Sequence, residues 1–129
     1  MDQYYEEKKR KGYILTPHRG EIYLVDLSDR LGSEQGGIRP AVIVQNETGN
    51  LYSPTTIVCP MTSKRKKMSA THVELTPGDA GIAQDSTVLC EQVRVIDKAR
   101  IRRKLGEVRS PEKIRDINRK IMISVGIGG

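Results

Sequence analysis

Ser33-Glu34-Gln35-Gly36-Gly37-Ile38-Arg39-Pro40 is the stretch whose residue types and spacing could do chemistry. Two adjacent glycines let a backbone take positive φ or approach a ligand closely. Pro40 then stiffens the entry to the next segment, with an arginine held just ahead of it. An arginine fixed at a loop-strand junction suits a phosphate, because its planar fork donates two parallel hydrogen bonds that a flexible lysine cannot match. The same residues also read as a plain hairpin turn at Gly36-Gly37 beside an exposed charge. Taken alone, the stretch does not choose between the two.

The other reactive side chains are less suggestive. Cys59 and Cys90 sit in apolar strings, IVCP and VLCE, and form no CxxC or Cys/His cluster, so both are expected as core thiols and not as ligands or nucleophiles. Imidazole is the usual general acid and base near neutral pH, yet neither His18 nor His72 has a partner at motif spacing, so structural or surface roles are expected for both. Lys64-Arg65-Lys66-Lys67 could carry phosphates, although such a charge run is ordinarily a solvated loop.

These residues need a scaffold, and the chain's texture suggests which one. Residues 1–18 form a charged arm, and 19–129 read as a single domain. A chain of 129 residues buries about two thirds of its surface, enough for a core without metal or disulfide staples. From Arg19 onward, short β-rich runs alternate with Gly, Pro, Asn and Ser. Glu21 to Leu27 reads as a strand, and the glycine-rich loop from Ser28 to Gly37 leads into Ala41 to Gln45, whose continuous apolar character implies burial on both faces. After a turn at Glu47 to Asn50 come Thr55 to Cys59, closed by Met61-Thr62, then the basic loop, a strand over Thr71 to Leu75, a turn at Pro77 to Asp79, and a strand over Ser86 to Val95. One helix follows. Ser110 is its N-cap, Pro111 its first residue, and Ile114, Ile117, Ile121 and Val125 its apolar stripe before Gly126. Strands first and one helix last make a mostly β protein, a small barrel with a terminal helix packed on it.

The 22 Lys+Arg against 16 Asp+Glu leave a formal charge of +6, which favours a polyanionic partner. No apolar run approaches the roughly 20 residues of a membrane span, and MDQYYEEKKRKGY lacks the apolar segment of a signal peptide. A cytoplasmic protein without a membrane partner is expected.

RGEIYLVDLS, GSEQGGIRPAVIVQN, IVCPMT, THVEL and DSTVLCEQVRVIDKARI, in this order, resemble the MazF/PemK family of toxin endoribonucleases over about residues 19–127. The resemblance implies an SH3-like barrel with a C-terminal helix, found as a homodimer. It also implies metal-independent, cofactor-free cleavage of single-stranded RNA at short sequences, restrained by a cognate antitoxin. It puts the family's catalytic arginine on Arg39 and its threonine on Thr62. Candidate RNA contacts are Glu34, Gln35, Gln45, Asn46, Tyr52, Ser86, Glu91 and Gln92, with Lys64 and Arg65 for phosphates. The chain departs from the family in two places. Its loop from Ser63 to Ala70 is more basic and slightly shorter, and Cys59-Pro60 stands where small apolar residues are common and could bend the strand before Thr62.

The implied chemistry is economical. RNA carries its own nucleophile, the 2′-hydroxyl, so the protein need only align it with the phosphorus and stabilise the extra charge of the phosphorane. Arg39 suits charge stabilisation and assistance to the leaving oxygen, and Thr62 can hydrogen-bond a non-bridging oxygen. Holding Arg39 neutral at pH 7 as a general base would cost about 7–8 kcal/mol, so the base is left unassigned. Two other functions share the composition: a gyrase-binding toxin of the same fold that cuts nothing, and a plain RNA-binding module.

Overall fold

The computed structural model describes residues 16–29, 31–32, 34–64 and 69–128. Most of the expected arm, and Arg65, Lys66 and Lys67 of the basic loop, lie outside the described residues. Seven strands make an antiparallel sheet: β1 (Glu21–Asp26), β2 (Ile38–Ile43), β3 (Thr55–Thr62), β4 (His72–Leu75), β5 (Ser86–Leu89), β6 (Arg94–Asp97) and β7 (Ile101–Glu107). Their order is β4-β5-β3-β2-β1-β7, with β6 paired to β3. The helices are α1 (Glu47–Tyr52), α2 (Pro77–Ala80) and α3 (Pro111–Ser124). The mostly β architecture with a terminal helix is as expected, and the sheet is barrel-like only in its curl, since β4 and β7 end it without closing it.

Alternation along the central strands sorts the core into two clusters. Ile22, Val42, Cys59 and Met61 share one with Val73, Val88 and Ile117 of α3. Tyr23, Val25, Ala41, Ile43 and Val58 share the other with Ile96. Burial on both faces is the reason residues 41–44 carry no polar alternation.

β2 begins earlier than its apolar run, at Ile38, so Arg39 lies inside the strand opposite Val25 and not at a loop junction. β3 runs unbroken through Cys59-Pro60. Along one edge it pairs first with β6, over Thr55–Val58, and then with β5 at Met61 and Thr62. The carbonyl of Ile57 accepts from Val44, just past β2, so by alternation Pro60 faces the opposite edge, between β6 and β5. A residue without an N–H loses no ladder bond there.

Other boundaries differ for local reasons. The turn after β2 is a helix because Asn46 caps it, its side chain accepting from Gly49 N at 2.7 Å. The Pro77 turn is one helical turn held by a Thr76/Asp79 capping box. The apolar run over 86–95 is interrupted by a 3₁₀ turn at Cys90–Gln92. β7 was not anticipated: IRRKLGE looks too charged, but a strand at the end of a sheet can turn cations to solvent. Gly106 there is obligatory, because a Cβ would sit 2.3 Å from the Ala80 carbonyl oxygen.

Helix α3 follows its expected caps: Ser110 accepts from Lys113 N at 3.2 Å, and Gly126 at φ +82° lets Ile127 N donate to the Met122 carbonyl at 2.8 Å. Ile114, Ile117 and Ile121 pack on the first cluster. Val125 lies past the helix end and is exposed, a correction to the expected stripe. Among the described residues no helix is long and apolar enough to cross a membrane.

Candidate active site

Arg39 is held by two carbonyls. Its Nε donates to Gly36 O at 2.7 Å and its Nη1 to Met61 O at 3.3 Å. Gly37, at φ +75°, supplies the left-handed turn that brings the Gly36 carbonyl back over the arginine. The β2–β3 pairing runs as far as Ala41 with Pro60, and past it the bond from Arg39 Nη1 to the Met61 carbonyl ties the arginine to the residue just before Thr62. The Thr62 side chain is buried, pairs with Thr87 across β5, and its Oγ1 accepts from Lys64 N at 3.2 Å. A guanidinium anchored on the carbonyl next to Thr62, and a buried threonine hydroxyl, are groups of the kind that bind phosphate oxygens.

The glycine loop leans on the 3₁₀ turn after β5, with Gln35 N donating to Gln92 Oε1 at 2.7 Å. Glu34, Gln35, Glu91 and Gln92 line one cleft of about 390 Å³ together with Arg94. Glu91 is fixed by Thr71, whose Oγ1 donates at 2.9 Å, and by His72 Nε2 at 3.4 Å. Lys64 and Ser86 line a second cavity, of about 420 Å³, with Ser63, Glu74, Asp85 and Thr87. Six of the sequence candidates therefore line these two openings, beside Arg39 on β2 and Thr62 on β3.

Three others do not. Gln45, Asn46 and Tyr52 lie beyond the opposite end of β2, and at roughly 3.3 Å per extended residue the six steps from Arg39 put Gln45 up to about 20 Å away. Gln45 is buried and its amide donates to Asn50 Oδ1 at 3.2 Å and Thr55 O at 3.0 Å. Asn46 is the α1 cap and Tyr52 is about half exposed beside it. Their chemistry could be read from the sequence, but the strand direction that carries them away could not. Arg65 lies outside the described residues.

Cys59 on β3 and Cys90, opening the 3₁₀ turn after β5, are both buried, in the same core cluster. The Cys90 thiol hydrogen-bonded to it, with burial, pushes the Cys59 thiol well above its usual range, so neither side chain is placed for nucleophilic work. His72 is buried in the sheet, with no partner at Nδ1 among the described residues, and His18 faces Glu47 at 3.3 Å on the surface. Among the described residues no three His, Cys, Asp or Glu side chains gather as a metal site.

Asp29 and Arg94 were missed by sequence reasoning. Asp29 Oδ1 accepts from Arg94 Nη2 at 3.0 Å and its Oδ2 from Arg100 Nη2 at 3.1 Å. The hydrogen bond from Arg94, then the charges of both arginines, hold the Asp29 carboxyl below its ordinary value. No motif announces a contact between residues 65 positions apart.

The family described as PemK-like, MazF-like toxin of type II toxin-antitoxin system matches residues 18–125. An Endoribonuclease MazF from Staphylococcus saprophyticus is 48% identical over 110 residues, spanning 84% of this chain and 91% of that protein. The crystal structure of MazF (form I) from Deinococcus radiodurans is similar with a TM-score of 0.75 at 25% identity, over 88% of this chain and 99% of that one. An endoribonuclease in complex with its cognate antitoxin, from a mycobacterial species, gives 0.72 at 25% identity, over 88% and 98%.

Proposed function

Because this chain belongs to the PemK-like, MazF-like toxin family of type II toxin–antitoxin systems, we propose that it is an endoribonuclease cutting single-stranded RNA at short sequences. The observation that carries this reading is the clamped guanidinium of Arg39, held by the Gly36 carbonyl and by the carbonyl of Met61, the residue before Thr62. The 2′-hydroxyl of the substrate loses its proton and its oxygen bonds to phosphorus, passing through a phosphorane. The bond to the 5′-oxygen then breaks, that oxygen takes up a proton, and the products are a 2′,3′-cyclic phosphate and a 5′-hydroxyl.

Because the nucleophile belongs to the substrate, the step asks the protein for alignment and charge stabilisation, with no metal ion or cofactor. Arg39 opposes the growing phosphorane charge and assists the departing oxygen, while Thr62 binds a non-bridging oxygen. The cleft of Glu34, Gln35, Glu91 and Gln92 offers hydrogen-bonding edges to splayed bases. Tyrosine supplies all of the 4% aromatic content, so base reading relies more on hydrogen bonds than on stacking.

The partners follow from the same reading. An acidic, partly disordered segment of a cognate antitoxin binds this chain of formal charge +6 and covers the site, and the association weakens with salt. The active form is a cytoplasmic homodimer. Incubating wild type and Arg39→Ala with mixed-sequence RNA in EDTA, and mapping the ends, tests the proposal. Discrete cuts bearing 5′-hydroxyl ends, absent from the variant, are expected. Equal cleavage by both proteins would overturn the role of Arg39, and intact RNA with poisoned gyrase would replace the nuclease reading with the gyrase one.

A further inference from the structure

We propose that Arg94 is a further RNA-contacting residue of this site, binding a substrate phosphate, and that Asp29 is the residue that positions it. The identity of the ligand rests on the endoribonuclease reading, while the geometry stands independently.

Arg94 opens β6 and its backbone is fixed opposite Val58 of β3. Its side chain is about a quarter exposed and lines the cleft that holds Glu34, Gln35, Glu91 and Gln92. Two of those groups are carboxylates, which repel an entering phosphodiester, and Arg94 is the one cation among the described lining residues. A polyanion can settle beside Glu34 and Glu91 only if some cation in the cleft offsets them, and Arg94 is there to do it.

Asp29 explains how the guanidinium is held. It lies three residues past the end of β1, in the turn that leads to Glu34 and Gln35. One carboxylate oxygen takes Arg94 and the other takes Arg100, whose Nη1 also donates to the Asp26 carbonyl at 3.2 Å. Two guanidinium groups on one carboxylate leave the cluster with net positive charge, so the anchor restrains Arg94 without cancelling it. The same contact ties the start of the glycine loop to β6, so base-reading and phosphate-binding groups keep one relative placement. An arginine restrained before substrate arrives loses less side-chain freedom on binding.

The test measures cleavage kinetics and, separately, binding of a fully 2′-O-methylated oligonucleotide, which cannot be cut, across a salt series. Arg94→Gln is expected to raise KM roughly five- to tenfold with kcat within about twofold, and to make the log affinity against log salt shallower by about 0.7, the share of one phosphate contact to a single strand. Arg94→Lys keeps the charge without the fork, so KM rises while the salt slope stays. Asp29→Asn is expected to raise KM about threefold with no loss of salt slope, Asp29→Glu to recover part of that, and Asp29→Asn added to Arg94→Gln to do no further harm.

Wild-type affinity and slope in Arg94→Gln, or a fall in kcat at unchanged KM, would overturn the proposal. Should Arg94→Gln fail to fold, Arg94→Lys and Asp29→Asn decide alone. If wild type leaves RNA uncut, the endoribonuclease reading fails, while the uncleavable oligonucleotide still reports whether Arg94 binds phosphate.

Discussion

The Nε of Arg39 donates to the carbonyl of Gly36, three residues earlier and 2.7 Å away. Its Nη1 reaches the Met61 carbonyl at the same time. Two acceptors on separate nitrogens orient a fork, and a single ammonium cannot reproduce both contacts with the same aim. Arg39→Lys should therefore lose about 10²–10³-fold in kcat/KM, the usual cost of a lost charge-stabilising group, with little change in unfolding temperature. Lysine activity within tenfold of wild type would mean that charge alone suffices.

Thr62 separates shape from chemistry. Valine keeps the branched volume at this buried site and removes only the hydroxyl that accepts from Lys64 N. Thr62→Val should reduce kcat by about ten- to a hundredfold with a modest loss of stability, and Thr62→Ser should recover most of the rate. If valine and serine variants cut equally well, the hydroxyl has no part in the reaction.

Gly106 is a packing constraint on β7, against α2. Its missing Cβ is what lets the Ala80 carbonyl approach β7, and that neighbour is backbone, which cannot swing aside. Gly106→Ala should cost at least about 3 kcal/mol, lowering Tm by about 10 °C. A thermal melt within a few degrees of wild type would contradict the close approach.

Glu21 should make the fold sensitive to acid. Burial disfavours its charge, but Lys104 at 2.8 Å, the His18 N–H and the Tyr23 hydroxyl outweigh burial and hold its carboxyl below its ordinary value of 4.5. A depressed folded pKa adds stability that is complete above the unfolded value and fades as pH falls through the folded one. Urea midpoints of wild type and Glu21→Gln should therefore differ at pH 7 and converge as pH drops below about 4.5. A constant gap down to pH 2 would assign the difference to packing. Burial, then Glu21, lifts the neighbouring Tyr23 hydroxyl to about 12, so it stays protonated throughout.

The helix and the central strands were legible because local signals and tertiary packing agree there. Ser110, Pro111 and the isoleucines mark one end of α3 and one face, and both are used as marked. Arg39 and Thr62 came together in the sequence only through the family resemblance, which laid the arginine on GGIRP and the threonine on the end of IVCPMT. What escaped depends on distant neighbours. β7 is charged because its outward positions meet water and distant acids, Asp26 for Arg102 and Glu21 for Lys104. Gln45 has the chemistry of a base-reading residue and instead fills hydrogen bonds behind α1. Asp29 and Arg94 announce nothing until β6 is laid beside β3.

The enclosed sulfurs of Cys59 and Cys90 have a practical consequence. An alkylating reagent meets neither until β5 parts from β3, so the rate at which the native protein takes up label is a clock for the opening of that seam. Thr62 and Thr87 hold the same seam a few residues away, and any ligand that braces this end of the sheet slows the clock, whether or not a bond is ever cut.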